Sequence, residues 1–221
     1  MTLLQKFRFL TFLLFISSGL QACSGSSKNN AIPNPDMNAQ PEQKTDTAYL
    51  AAGCFWCIEA IFQQLDGVLS VSSGYTAGHV KNPSYKEVCT GLTGHAEAAR
   101  IVYDPAKISF DELLEVFWKT HDATTLNRQG ADVGTQYRSG IYYISEAQKE
   151  TAEKYKKELD ASGAFEKPIV TEILPFDGKF YVAEDYHQNY YNQNGEQGYC
   201  RMVIQPKLEK FKKVFPDKLK K

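Results

Sequence analysis

The chain has 221 residues, 43% apolar and 23% charged, enough for one folded domain with a single core plus accessory segments. Its 25 basic and 26 acidic residues leave a net charge of −1, and no basic surface asks for nucleic acid. Five cysteines and four histidines provide one close pair, Cys54 and Cys57, and no second pair at the spacing a zinc site needs, so no metal is expected.

In chain order, Lys6 and Arg8 precede an apolar run over residues 9–16 and then a stretch of small residues. That is the pattern of a secretory signal peptide, too short for a spanning helix. Leu20-Gln21-Ala22-Cys23 resembles the lipobox of bacterial lipoproteins, where the cysteine is lipidated and becomes the new N-terminus; ordinary cleavage leaving a free Cys23 is the alternative. Residues 1–22 are therefore expected to be removed, which leaves a net charge of −3. Residues 23–46 are Ser, Asn, Pro, Gln and Lys with scarcely an apolar side chain, and cannot bury enough surface to fold. They read as a disordered polar tether between a bacterial membrane and an extracytoplasmic domain over residues 47–221.

Within the domain, residues 49–52 form a short strand leading into a helix on which Ile58, Ile61, Phe62 and Leu65 recur at helical spacing, closed by Gly67. Residues 68–75 alternate as a second strand, so the opening reads as βαβ-like. Residues 97–103 alternate again; Ser109 with Glu112 is a capping box for a helix whose Phe110, Leu113, Leu114 and Phe117 face inward. Residues 141–144 are strand-like, residues 145–159 a solvated helix, and residues 169–174 a further strand. Few strands separated by helices, with connections of mixed length, predict an α+β two-layer sandwich with helices packed on one sheet.

The stretch that carries chemistry is Gly53-Cys54-Phe55-Trp56-Cys57. It puts Cys54 in the first turn of an apolar helix, where unpaired amides and the helix dipole favour a thiolate, the nucleophilic form. Phe55 and Trp56 supply an apolar wall. The Cys54-x-x-Cys57 spacing also suits a thioredoxin-like redox pair, and simple burial of both thiols is the inert alternative.

Together with that start, Gly94-His95-Ala96-Glu97, Asn127-Arg128-Gln129-Gly130, Gly134-Thr135-Gln136-Tyr137-Arg138-Ser139 and Tyr186-His187-Gln188 resemble the peptide methionine sulfoxide reductase family, type A, over residues 48–207. The resemblance implies a ferredoxin-like core on a mixed sheet and a monomer that reduces the S epimer of methionine sulfoxide, free or in proteins, without a cofactor. It implies Cys54 as nucleophile, Phe55 and Trp56 as the slot for the methyl group, Tyr85 and Tyr137 as donors to the sulfoxide oxygen, Glu97 as proton donor and Asp132 as an ordering acid. Cys54 leaves as a sulfenic acid, the first rung of thiol oxidation. For its reduction the resemblance favours Cys200, on a segment that Gly195 and Gly198 make mobile, with Cys57 as a secondary exchanger and a thioredoxin-like protein as donor. Cys57 stands where most relatives have glycine and is the other candidate for the resolving thiol. Cys89 reads as an inert helix residue behind the site, and His95 and His187 as hydrogen-bonded structural residues. A further departure is Asp122-Ala123-Thr124, where the family has proline in the middle. Two other functions stay open on the residues alone: a thioredoxin-like disulfide oxidoreductase, and a non-catalytic lipoprotein that binds methionine-rich partners.

Overall fold

The computed structural model describes residues 44–221; the signal peptide, Cys23 and almost all of the expected tether lie outside the described residues. The first strand, β1 (Asp46–Ala52), takes in the last residue assigned to the tether and runs through the middle of the sheet. Alternate residues explain why. Ala48, Leu50 and Ala52 pack into the main core beneath the helices, whereas Ala51 and Tyr49 face a second cluster with Tyr142, Phe176 and Phe180.

From β1 the helix α1 (Phe55–Phe62) leads to β2 (Val68–Thr76), but β2 does not pair with β1. The strand β3 (Ala96–Tyr103) lies between them, antiparallel to both, so that β1 and β2 run parallel with a strand inserted. The βαβ-like opening is thus a split unit. The physical reason is that β3 satisfies the ladder of both neighbours while Ala99 and Ile101 are fully buried under the helices and Ala98 is fully buried on the opposite face. After β3, α3 (Phe110–Thr120) crosses back to β6 (Ser139–Tyr143) on the free side of β1. The order β6-β1-β3-β2 with two crossover helices is the ferredoxin-like core, and the fold is α+β.

Ser109 accepts the N–H of Glu112 and Glu112 accepts the N–H of Ser109, the expected capping box. The helix buries Leu113, Leu114 and Phe117 completely, each stabilising by about 1.5–3 kcal/mol. Ser145 caps α4 (Glu146–Ser162), which runs to Gly163 at φ +69°. The sheet is extended by β7 (Glu172–Pro175), parallel to β6, and by β8 (Phe180–Val182), antiparallel to β2, which makes it mixed. The last strand expected from the sequence starts three residues late. The amides of Ile169 and Val170 are already used, by Asp160 Oδ1 at 3.0 Å and the Ala123 carbonyl at 2.8 Å, and cannot join the ladder.

Four short elements surround the start of α1. These are α2 (Tyr85–Val88), the hairpin of β4 (Arg128–Gln129) with β5 (Asp132–Val133), α5 (Tyr190–Asn194), and a π-helical turn over Cys200–Ile204 that continues into α6 (Gln205–Val214).

Candidate active site

Gly53 sits at φ +86°, and a Cβ there would lie 2.5 Å from Cβ of Gln129. Only glycine lets β1 turn so sharply into α1 against β4. That turn makes Cys54 the N-cap of α1 rather than a member of its first turn, and its side chain makes no capping bond. The cap is filled from elsewhere: the Phe55 N–H donates to Glu97 Oε2 at 3.0 Å. One of the free amides at the start of α1 is thus taken by a carboxyl oxygen and not by the thiol.

Glu97, the second residue of β3, is only 1% exposed. Burial pushes its carboxyl up to about 8; the Phe55 N–H opposes this, and the charges of Asp132 and Cys57 add to it. It is mostly protonated at neutral pH. Burial likewise raises the Cys54 thiol well above its ordinary value, and the bond it donates to Cys57 and the charge of Glu97 push the same way. Burial therefore works against the thiolate expected at Cys54 in the resting pair, and ionisation is favoured at Cys57 instead. Cys57 is held near 7, chiefly because its sulfur accepts the Cys54 S–H, with Lys207 and Tyr199 helping against burial.

Around the two sulfurs the structure brings nearly every expected residue together. Phe55, Trp56, Tyr85 and Tyr137 share one cluster with Cys54, Cys57 and Cys200. Phe55 is buried, its ring 5.8 Å from Tyr75 and 6.4 Å from Tyr85. Trp56 is half-buried and stacks on Tyr190 at 3.7 Å. Burial raises the Tyr85 and Tyr137 hydroxyls, and the charge of Glu97 adds to both, so they remain donors throughout the neutral range. Asp132, opposite Gln129 in the hairpin, accepts the Tyr199 hydroxyl at 2.7 Å.

Three expectations need correcting. Cys200 is fully buried in the π-helical turn, not carried on a loose glycine segment; Gly195 is right-handed helical, at φ −53°. Cys89 is exposed, at the C-cap of α2, where it accepts a hydrogen bond from the Tyr85 side chain; it stands beside the site, not behind it. His95 is hydrogen-bonded, Nε2 to the Val80 carbonyl at 2.7 Å. His187 is not: among the described residues neither ring nitrogen has a hydrogen-bond partner, and its ring packs 5.1 Å from Phe55 and 4.3 Å from Tyr85.

Sequence reasoning missed the residues that frame this cluster. Glu184 accepts the Tyr75 hydroxyl at 3.0 Å and the Tyr85 N–H at 2.9 Å, fixing the start of α2. Glu59, buried on α1, accepts the N–H groups of Asn189 and Tyr190 at 2.8 and 3.3 Å and so seats α5 against Trp56. A carboxylate between Ile58 and Ala60 in an apolar helix was the one signal available for it. Tyr199 and Lys207 gave none. Among the described residues no group of three His, Cys, Asp or Glu side chains is arranged to hold a metal ion.

Comparison with known proteins places this geometry in company. The family described as peptide methionine sulfoxide reductase matches residues 46–219. A peptide methionine sulfoxide reductase MsrA of Picrophilus torridus is 55% identical over 170 residues, covering 77% of this chain and 95% of the relative. Another, of Deinococcus radiodurans, is 52% identical over 184 residues, covering 83% of this chain and 89% of its own. Among solved structures, methionine sulfoxide reductase A of Corynebacterium diphtheriae superposes with a TM-score of 0.64 at 41% identity, covering 74% of this chain and 80% of the other. The reduced form of a Saccharomyces cerevisiae relative has the same TM-score at 36% identity, covering 71% of this chain and 90% of the other.

Proposed function

The chain belongs to the peptide methionine sulfoxide reductase family, and we propose that its Cys54, Glu97 and Cys57 divide the chemistry of a thiol-dependent methionine-S-sulfoxide reductase among them. The observation that carries the assignment is the buried Glu97 carboxyl that accepts the Phe55 N–H, next to Cys54 at the wall of an aromatic cluster.

The substrate methyl group lies against Phe55 and Trp56, with the sulfoxide oxygen towards Tyr85, Tyr137 and Glu97. Cys54 passes its proton to the Cys57 sulfur, which already accepts its S–H, and attacks the substrate sulfur. Glu97 gives its proton to the oxygen as the S–O bond breaks. Methionine leaves, and Cys54 keeps the oxygen as a sulfenic acid. Cys57 then returns the proton it holds to Glu97 and attacks the Cys54 sulfur as a thiolate; the S–S bond forms, the S–O bond breaks, and the hydroxide takes a proton from solvent and departs as water. Two thiols are oxidised for each sulfoxide reduced. Cys57, one helical turn from Cys54, acts first, and Cys200 exchanges onto it afterwards, reversing the order that the family resemblance favours. A thioredoxin-like dithiol supplies the two electrons that reopen the disulfide. The disulfide oxidoreductase alternative loses its ground, because Cys54-x-x-Cys57 opens a crossover helix of a ferredoxin-like core in a chain of this family.

Cys54→Ser tests the nucleophile. The variant is expected to fold and to release no methionine from the S epimer, since a hydroxyl is a far poorer nucleophile at neutral pH. Substantial turnover by the folded variant would remove Cys54 from this role.

A further inference from the structure

Lys207, on α6 and 150 residues along the chain from Cys57, points Nζ at the Cys57 sulfur from 3.7 Å. It is half-buried, and among the described residues it forms no ion pair with a carboxylate. It lines both a void of about 10 Å³ that borders Cys57 and an open cleft of about 560 Å³ beyond it. We propose that Lys207 is the positioning residue of the resolving step: it holds the Cys57 sulfur in the anionic form that attacks the Cys54 sulfenic acid.

The other groups around Cys57 do not duplicate it. The Cys54 S–H is directed to the sulfur, the Tyr199 hydroxyl is given to Asp132 instead, and the charge of Asp132 from β5 opposes an anion at Cys57. Cys200, in the π-helical turn, is raised by burial and by the charge of Cys57. His121 lines the same void, but burial lowers its imidazole to about 4, so it is neutral. Lys207 is the single cation against the sulfur among the described residues. Its importance grows after the first step, when Cys54 has become a sulfenic acid and the S–H that Cys57 accepted is gone.

The step moves no electrons beyond those already counted. The Cys57 thiolate, its proton returned to Glu97, forms the S–S bond, the Cys54 S–O bond breaks, and the hydroxide takes one proton from solvent and leaves as water. The inference rests on the reading that Cys57 is the first resolving thiol. Its test follows the whole chain, as wild type, Lys207→Met and Lys207→Arg, after one equivalent of methionine sulfoxide at a series of pH values. Released methionine is counted, and the Cys54–Cys57 disulfide peptide is followed by mass spectrometry after rapid alkylation.

In wild type the disulfide should form with a rate that rises with pH as Cys57 ionises and then levels off. In Lys207→Met the profile should move to higher pH, slowing disulfide formation about three- to tenfold at pH 7 and matching wild type again above pH 9, since a weaker acid gives fewer but stronger thiolates. Lys207→Arg should restore the wild-type profile. An unshifted profile, or a rate lowered equally at every pH, would overturn the role of Lys207. Methionine release with only a Cys54–Cys200 pair would overturn the reading beneath it, and no methionine at all would overturn the reductase assignment.

Discussion

At the scale of single residues, Glu97 shows how burial converts a common side chain into an acid usable at neutral pH. Its folded value of about 8 lies well above the ordinary 4.5, and desolvation is the main cause. Methionine release by wild type should therefore fall as pH rises through about 8 and Glu97 loses its proton. Glu97→Gln should release methionine roughly 10²-fold more slowly. The limb near 8 should vanish, and the residual rate should rise as pH falls, because the proton then comes from solvent. A variant with the wild-type rate and profile would exclude proton delivery by this group. The same shift has a consequence for stability. A carboxyl whose folded value is raised stabilises fully below its unfolded value, and that contribution is lost as pH rises through the folded one. Urea unfolding of Glu97→Gln against wild type should thus show the variant gaining on the order of a few kcal/mol relative to wild type between pH 5 and pH 9.

At the scale of elements, the site depends on junctions more than on the interiors of helices and strands. Gly53 joins β1 to α1 where a Cβ would collide with Gln129. Gly53→Ala should cost about 1–3 kcal/mol in thermal or urea unfolding, and should reduce turnover further because it moves the Cys54 N-cap. The Asp122-Ala123-Thr124 turn lacks the family proline, and side chains stiffen it instead. Asp122 Oδ1 accepts from Thr124 N at 2.8 Å, and Gln129 bonds both the N–H and the carbonyl of Asp122 at 3.1 and 3.0 Å. The π-helical turn at Cys200 is a rare element, common at functional sites. Burial there favours Cys57 as first partner of the sulfenic acid. Mass spectrometry after one turnover should show a Cys54–Cys57 pair, and Cys200→Ser should still release one methionine per enzyme while thioredoxin-supported cycling slows. A Cys54–Cys200 pair formed first would reverse the order.

At the scale of the molecule, one side of the sheet carries the work. The helices α1, α3, α4 and α6 pack over β1, β3 and β6 in a single cluster, and the start of α1 opens at its edge into the aromatic site. No helix among the described residues is long and apolar enough to cross a membrane. We propose that lipid on Cys23, which lies outside the described residues, attaches the protein to a membrane. Cys23→Ala should abolish fatty-acid labelling and release the protein into the soluble fraction. Equal retention of the variant would point to insertion of the uncleaved leader instead.

The sequence by itself determined much of this. Helical spacing after Cys54, the Ser109 capping box and the alternation over residues 97–103 are local signals, because side-chain periodicity and capping act over a few residues. The ordered motifs were enough to mark the family and to name Cys54, Phe55, Trp56, Tyr85, Glu97, Asp132 and Tyr137, which the structure brings to one place. What only the tertiary structure decided is how those groups act on one another. The insertion of β3 between β1 and β2 buries Glu97 and aims it at the Phe55 amide, so that a carboxyl meets the start of the helix that carries Cys54. The approach of Lys207 to Cys57 and of Tyr199 to Asp132 joins residues far apart in the chain. Ionisation depends on burial and on neighbours within a few ångströms, and neither is encoded in the spacing of a motif.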